Sequence, residues 1–331
     1  VLENDSPHYM LAGTYIQSAI EAFRRIGGKS EKIEKLHERL LEYQEKSKDE
    51  MAVISSGKID ITEQQVEARN IVKDETFEEA INNLAFIASS PSVNKLREHV
   101  KNLAKDYPLQ HLFSTVAVNE MGKIVAKKPS MLSDNPEEKE AAIRVEMYRQ
   151  AIFYQQFIAQ GIITPARQQI LLEHNVRITD LSPIILNNPF IPPGREDIYA
   201  KGIHAGLKGK FIISAHLLIP QLENSIRYIF YQNGLTPSKL DDNGIQDEDG
   251  LNSLLYYPEL KSIFGEDLVL DLQGLLVERF GSNLRNRMAH GLINTKGFFS
   301  FKIIYLWWII LRICYLSKRA VINRQEETDN S

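Results

Sequence analysis

Gly281-Ser282-Asn283-Leu284-Arg285-Asn286-Arg287-Met288-Ala289-His290-Gly291 is the stretch that decides the fold. It sits between two strongly apolar segments of helical period, Glu266–Phe280 and Phe298–Arg319, and a long helix expected at 208–233 precedes both. Gly281-Ser282 breaks the first segment, and Leu284-Arg285 opens a new helical turn. Leu284 and Met288 are apolar anchors that hold this turn to a core. At about 100° per residue Asn286 and His290 share a face, whereas Arg285 and His290 diverge by about 140°. One regular helix therefore does not aim Arg285 and His290 at the same point. Either the turn is distorted at its start or two copies of the motif meet.

The surroundings are helical almost throughout. Pro7–Ile26 is amphipathic and Gly27-Gly28 stops it. Ser30 opens a second helix, through about Ser55, and Ser56-Gly57 breaks it. Thr62–Lys73 is a polar helix. Thr76 with Glu79 makes a capping box for Phe77–Ser89. Ser92–Lys105 carries Val93, Leu96, Val100 and Leu103 on one face. Ser114–Val118 and Lys123–Ala126, around Asn119–Gly122, predict a β-hairpin. Lys127–Asp134 is a connector, and Asn135-Pro136-Glu137-Glu138 caps and starts a helix to about Gln160. Gly161 ends that helix and Thr164-Pro165 starts the next. Pro183, Pro189, Pro192 and Pro193 mark a surface connection, and a short helix is expected at 196–205. Pro220 inside the 208–233 helix predicts a kink. Residues 236–250, with Asp241, Asp242, Asp247, Glu248 and Asp249, are expected as a solvated acidic loop; the spacing does not fit a calcium loop. The reading is an all-α fold: a helical region with a small hairpin over 1–130, connecting helices at 135–195, a helical bundle at 196–324 and a polar tail at 325–331.

Bulk numbers narrow the function classes. A chain of 331 residues, 43% hydrophobic and 25% charged, is globular and long enough for roughly two domains. A net charge of −4 excludes a generally basic nucleic-acid binder, so any nucleic-acid contact must be local. One cysteine, Cys314, excludes a disulfide framework and points to a reducing compartment, the cytoplasm. It lies in Ile303–Leu316, the most apolar run of the chain, which Arg312 interrupts and which is shorter than the about 20 residues a membrane span needs. No membrane association is expected. Trp307 and Trp308 are adjacent and face different sides, so one neighbour is not expected to cover this helix; a partner copy or the motif turn should lie on its second side. The chain opens at Val1 without a signal-peptide pattern, which leaves room for an upstream region.

Other chemistries drop out. Gly27-Gly28-Lys29-Ser30 ends like a phosphate-binding loop, but Phe23 stands where that loop needs glycine. Gly202, Gly206 and Gly209 lack dinucleotide-binding spacing, and no Gly-x-Ser-x-Gly elbow exists. The eight histidines form no helical metal pair and one cysteine holds no zinc, so neither metal nor cofactor is expected. What remains is Arg285-Asn286-x-x-x-His290. Histidine exchanges protons near neutral pH, arginine offers a rigid fork to a phosphate, and an asparagine amide orients either. In the long helix Glu223 and Arg227, four apart, suit an ion pair. A structural reading stands beside this one: a surface or capping arginine, and a histidine near a helix end.

The Arg-polar-x-x-x-His pattern between apolar helices resembles the signature of the HEPN superfamily of small all-α domains. Residues from about 197 to 324 look like the carboxy-terminal half of a bacterial family of unknown function that carries such a domain. The resemblance implies a metal-independent endoribonuclease in a bacterial defence or toxin setting. In it His290 is general acid/base, Arg285 stabilises the phosphate and Asn286 orients. Glu223, Arg227 and Arg287 support them, with Arg287 a candidate RNA contact. It also implies that two such domains pair face to face, so that a homodimer forms a composite cleft for RNA. The alternative is a catalytically silent HEPN-like dimerisation or binding module, with the amino-terminal helices as a platform for a regulatory or inhibitory protein.

Overall fold

A computed structural model describes residues 8–26, 30–47, 60–108, 114–118, 123–240 and 243–329. The Gly27-Gly28 stop, the Ser56-Gly57 break, the hairpin turn 119–122, and Asp241 and Asp242 lie outside the described residues. The chain is 71% helical with two small antiparallel hairpins, an all-α fold. Backbone contacts divide it into two units, 1–59 with 107–142, and 60–106 with 143–331.

In the first unit α1 (Tyr9–Arg25) and α2 (Ser30–Lys46) form a helical hairpin, and β1 (Thr115–Val118) pairs with β2 (Ile124–Lys128). Ala12, Ile20, Leu40 and Tyr43 are buried between the helices, and the Tyr9 and Tyr43 rings meet at 5.7 Å. Lys127 Nζ reaches Glu21 at 2.7 Å.

The second unit holds the large core. It begins with α3 (Thr62–Val72), α4 (Phe77–Phe86) and α5 (Val93–Asp106). Thr76 and Glu79 make the expected capping box at the start of α4. Then α6 (Pro136–Phe157) runs without interruption into a π-helical stretch, Ile158–Ile163, and α7 (Thr164–Glu173). Gly161 therefore does not end the helix, as its residue type had suggested. The wide turn tolerates Pro165, which has no N–H to give, and Thr164 Oγ1 bonds the Ala159 carbonyl at 2.7 Å. After Ile178–Leu181 and α8 (Ser182–Ile185) come α9 (Glu196–Leu207) and α10 (Phe211–Gln232). These two pack so closely that a Cβ on Gly202 would stand 2.6 Å from Leu218 Cδ2. Pro220 lies inside α10 on an exposed side.

The acidic segment is solvated over 243–248, as expected, but it is not all loop. Its ends form a hairpin, β3 (Ser238–Leu240) with β4 (Gln246–Glu248), and Asp249 is buried. Three short helices follow, α11 (Leu251–Leu254), α12 (Pro258–Phe264) and α13 (Glu266–Leu276). The last ends four residues before the expected Phe280, and the chain turns back on itself through 277–283. Then come α14 (Leu284–Ala289), α15 (Thr295–Phe298) and α16 (Phe301–Asp329), which continues through most of the expected polar tail.

Helix α16 is the axis of this core. Trp307 and Trp308 do face different sides, but this chain covers both. Trp307 Nε1 donates to Ile203 O of α9 at 2.9 Å, and Trp308 Nε1 to Leu84 O of α4 at 2.8 Å. The apolarity of α16 therefore calls for no partner copy, contrary to the expectation from its two tryptophans. Gly206 makes room for Trp307, since a Cβ there would meet its ring at 2.1 Å. Among the described residues, Thr295–Ala320 is the one stretch long and apolar enough to cross a membrane, and 56% of its most apolar window is buried inside the protein.

One polar cluster lies within the core. Asp271 of α13 is 0% exposed; it accepts from Gln155 Nε2 at 2.8 Å and from the Tyr305 hydroxyl at 2.7 Å. Loss of water raises its pKa to about 6, against the opposing pull of those donors.

Candidate functional site

The motif turn is positioned by the fold-back at the end of α13. Ser282 N–H donates to Gly274 O at 2.8 Å, and Gly281 lies so close that a Cβ would stand 1.9 Å from that carbonyl oxygen. Asn283 then takes a left-handed conformation, φ 49°, which an asparagine adopts more readily than most residues. The turn at Asn283 launches α14, with Leu284 buried beneath it and Met288 packed against the core.

Arg285 points from α14 toward α10. Its Nε donates to Glu223 Oε2 at 3.2 Å and its Nη1 to Asn286 Oδ1 at 3.2 Å. Asn286 in turn donates from Nδ2 to Asn283 Oδ1 at 2.7 Å, so both ends of its amide are engaged. The other oxygen of Glu223 accepts from Arg227 Nη2 at 3.2 Å. One carboxylate thus bridges two guanidiniums. The side chains of Arg285, Glu223 and Arg227 are 29%, 20% and 17% exposed, which leaves Arg285 the most open of the three. Among the described residues Nη2 of Arg285 has no hydrogen-bond partner; a Cβ on Gly250 would stand 3.7 Å from it.

Arg227 is bound further by the segment after α10. Its Nη2 also donates to Asp249 O at 2.9 Å, and Glu248 Oε2 lies 3.1 Å from Nε, an ion-pair contact without hydrogen-bond alignment. The Asp249 carboxylate takes a short hydrogen bond from Tyr257 and pairs with Lys239 at 3.1 Å. The Tyr257 bond, then Lys239, holds its pKa below the usual carboxylate range. Glu248 and Asp249 are the contributors that the sequence reading missed. The only signal for them was an acidic run within reach of an arginine-bearing helix.

His290 stands apart. It follows the last residue of α14, its N–H bonds Asn286 O at 3.1 Å, and its side chain is exposed. Gly291, at φ 65°, then closes the turn, and Leu292 N–H bonds Arg287 O at 2.8 Å. None of the described side-chain contacts joins His290 to Arg285. Arg287 is half-buried on the same turn. The structure therefore brings together Arg285, Asn286, Glu223 and Arg227, and leaves the imidazole in solvent at the turn's far end. No protein-family model matches the chain, and neither a curated protein nor a solved structure resembles it significantly.

Proposed function

We propose that the protein is a metal-independent endoribonuclease of HEPN type, acting in the cytoplasm in a bacterial defence or toxin setting. The observation that carries the reading is the motif turn. Arg285 is held by Glu223 and Asn286 with one guanidinium nitrogen uncommitted, and His290 is exposed on the same turn. RNA can be cut by its own 2′-hydroxyl. His290 takes the proton from that hydroxyl or returns one to the departing 5′-oxygen, and Arg285 balances the charge that grows on the phosphate. Glu223 fixes the guanidinium plane, so little motion is lost when phosphate binds. Asn286 holds the same plane from its other edge.

A single copy keeps Arg285 and His290 apart. The working site in this reading is a two-fold cleft in which the Arg285 of one copy serves the His290 of the other. RNA held there should dissociate as salt rises. The test is cleavage of a mixed RNA pool in excess chelator, with analysis of the new ends. A 2′,3′-cyclic phosphate formed by the wild type but not by His290→Ala supports the reading. Strict dependence on a divalent ion, or equal activity in His290→Ala, refutes it. The bridge itself favours a second reading. Glu223 already neutralises much of the Arg285 charge, as in a structural ion pair, and this fits a silent HEPN-like dimerisation or binding module. Stable dimers without cleavage of any RNA would establish that alternative.

A further inference from the structure

Lys208-Gly209-Lys210 joins α9 to α10, about three helical turns before Glu223. Gly209 takes φ 74°, which closes α9, and the Lys210 N–H returns to Ala205 O at 2.7 Å. Helix α10 then starts with no side-chain cap and no acid in its first turn. Among the described residues the N–H groups of Phe211, Ile212 and Ile213 have no acceptor. They form the positive end of a helix of 22 residues.

A second, independent group stands over the same turn. Arg167 of α7 is 8% exposed, and among the described residues it forms no ion pair. Its Nη1 caps the end of α9 through Leu207 O at 2.7 Å, and its Cζ lies 5.3 Å from the centre of the Phe211 ring. Neither contact brings it an anion. Burial lowers its pKa, and no neighbouring carboxylate opposes that fall. A buried cation without a counter-charge is costly, and proteins seldom keep one. Nη2 makes no hydrogen bond, yet unlike Nε it is not sealed from solvent. It lies 3.9 Å from the place a Cβ on Gly209 would take, at the foot of α10.

The surroundings are free of acids. Lys208 is half-buried and Lys210 exposed on either side of Gly209, and neither forms an ion pair among the described residues. Residues 198–222 contain no Asp or Glu, and neither do residues 279–325. The Phe299 ring of that second stretch meets Phe211 at 6.3 Å, and Phe298 meets His216 at 5.0 Å. These contacts set α15, with its exposed Lys296, beside the start of α10. In a chain of net charge −4 this end is locally positive. Free N–H groups, an unspent guanidinium nitrogen and two lysines call for a compact oxyanion. We propose that the turn at 208–213, with Arg167 above it, binds a phosphate group. Its oxygens accept from the first-turn N–H groups of α10 and from Arg167 Nη2, and Lys208 and Lys210 balance its charge. This does not rest on the ribonuclease reading.

The test titrates the full chain, labelled with nitrogen-15, at low ionic strength with inorganic phosphate, adenosine 5′-monophosphate and adenosine. Phosphate should bind saturably, with a Kd of about 1 mM or tighter, and should shift the amide signals of Phe211, Ile212 and Ile213. Arg167→Met should weaken it about tenfold or more, and so should Lys208→Met combined with Lys210→Met. The lysine pair lies at the surface, so it decides the matter even if Arg167→Met does not fold. Lys35→Met, in the other unit, should change nothing. A monophosphate no tighter than phosphate would identify the free ion as the ligand. A monophosphate about tenfold tighter, with adenosine silent, would identify a nucleotide. Neither binding at about 10 mM overturns the proposal. So do adenosine binding as tightly as its monophosphate, phosphate shifts that miss the three amides, and affinities that ignore both Arg167 and the lysine pair.

Discussion

Replacing Asp271 by asparagine should make the protein more resistant to unfolding at pH 8 than at pH 4, measured relative to the wild type. The folded pKa is about 6 against an ordinary 3.8, a rise of about 2.2 units, or about 3 kcal/mol at 1.36 kcal/mol per unit. The sign follows from the direction of the shift. A carboxyl whose folded pKa is raised favours folding while it is protonated, below pH 3.8, and that advantage is lost as pH rises through 6. By pH 8 the wild type buries a charge that the amide does not have. The amide also fits the surroundings. Its oxygen can accept from Tyr305, and its NH2 can donate to Gln155 Oε1, a buried atom with no present partner, once the Gln155 amide turns over. The stability difference, variant minus wild type, should therefore grow by about 2–3 kcal/mol from pH 4 to pH 8. Urea unfolding followed by tryptophan fluorescence is the assay, because both tryptophans, 307 and 308, lie in this core. A difference that stays flat with pH, or that shrinks as pH rises, would show that Asp271 does not carry a buried charge of this cost.

Three further outcomes are expected. Glu223→Gln should cost roughly 1 kcal/mol of stability or less, since the bridge is partly exposed, yet should lower RNA cleavage about tenfold or more by freeing the Arg285 fork; unchanged cleavage would remove Glu223 from any positioning role. Gly281→Ala should unfold the motif turn or cost several kcal/mol, roughly the overpacking range, because its Cβ meets the Gly274 carbonyl; Gly250→Ala, with its nearest contact at 3.7 Å, should be nearly silent, and equal melting temperatures for the two would contradict the fold-back. Mixed Arg285→Ala and His290→Ala chains should recover cleavage that neither has alone; no recovery despite verified subunit exchange would eliminate the composite cleft.

What the sequence revealed and what it hid divides along local and distant contacts. The Thr76–Glu79 box and the Glu223–Arg227 pair are legible because their partners lie within one helical turn of each other. The bond from Arg285 to Glu223 spans 62 positions, and no periodicity encodes it. The acidic segment is solvated over 243–248, but composition reports charge and not the opposing charge that pins its end; Arg227 and Lys239 supply that to Glu248 and Asp249 only after folding. Gly161 looked like a stop because a glycine in a helix usually weakens it, and nothing local announces a π-helical stretch. Residues 60–106 looked like part of one amino-terminal array, yet they join the large unit, where Trp308 donates to the Leu84 carbonyl.

That last bond spans 224 positions, and it bears on how the protein is made. At about 5–20 residues per second, on the order of ten to forty-five seconds separate the synthesis of α4 from that of the helix that covers it. During this interval the Ile81, Leu84 and Ala85 face of α4 has no α16 to meet, while the hairpin-bearing unit inserted between, residues 107–142, has already left the ribosome. The nascent chain must hold an apolar surface open for a segment not yet translated.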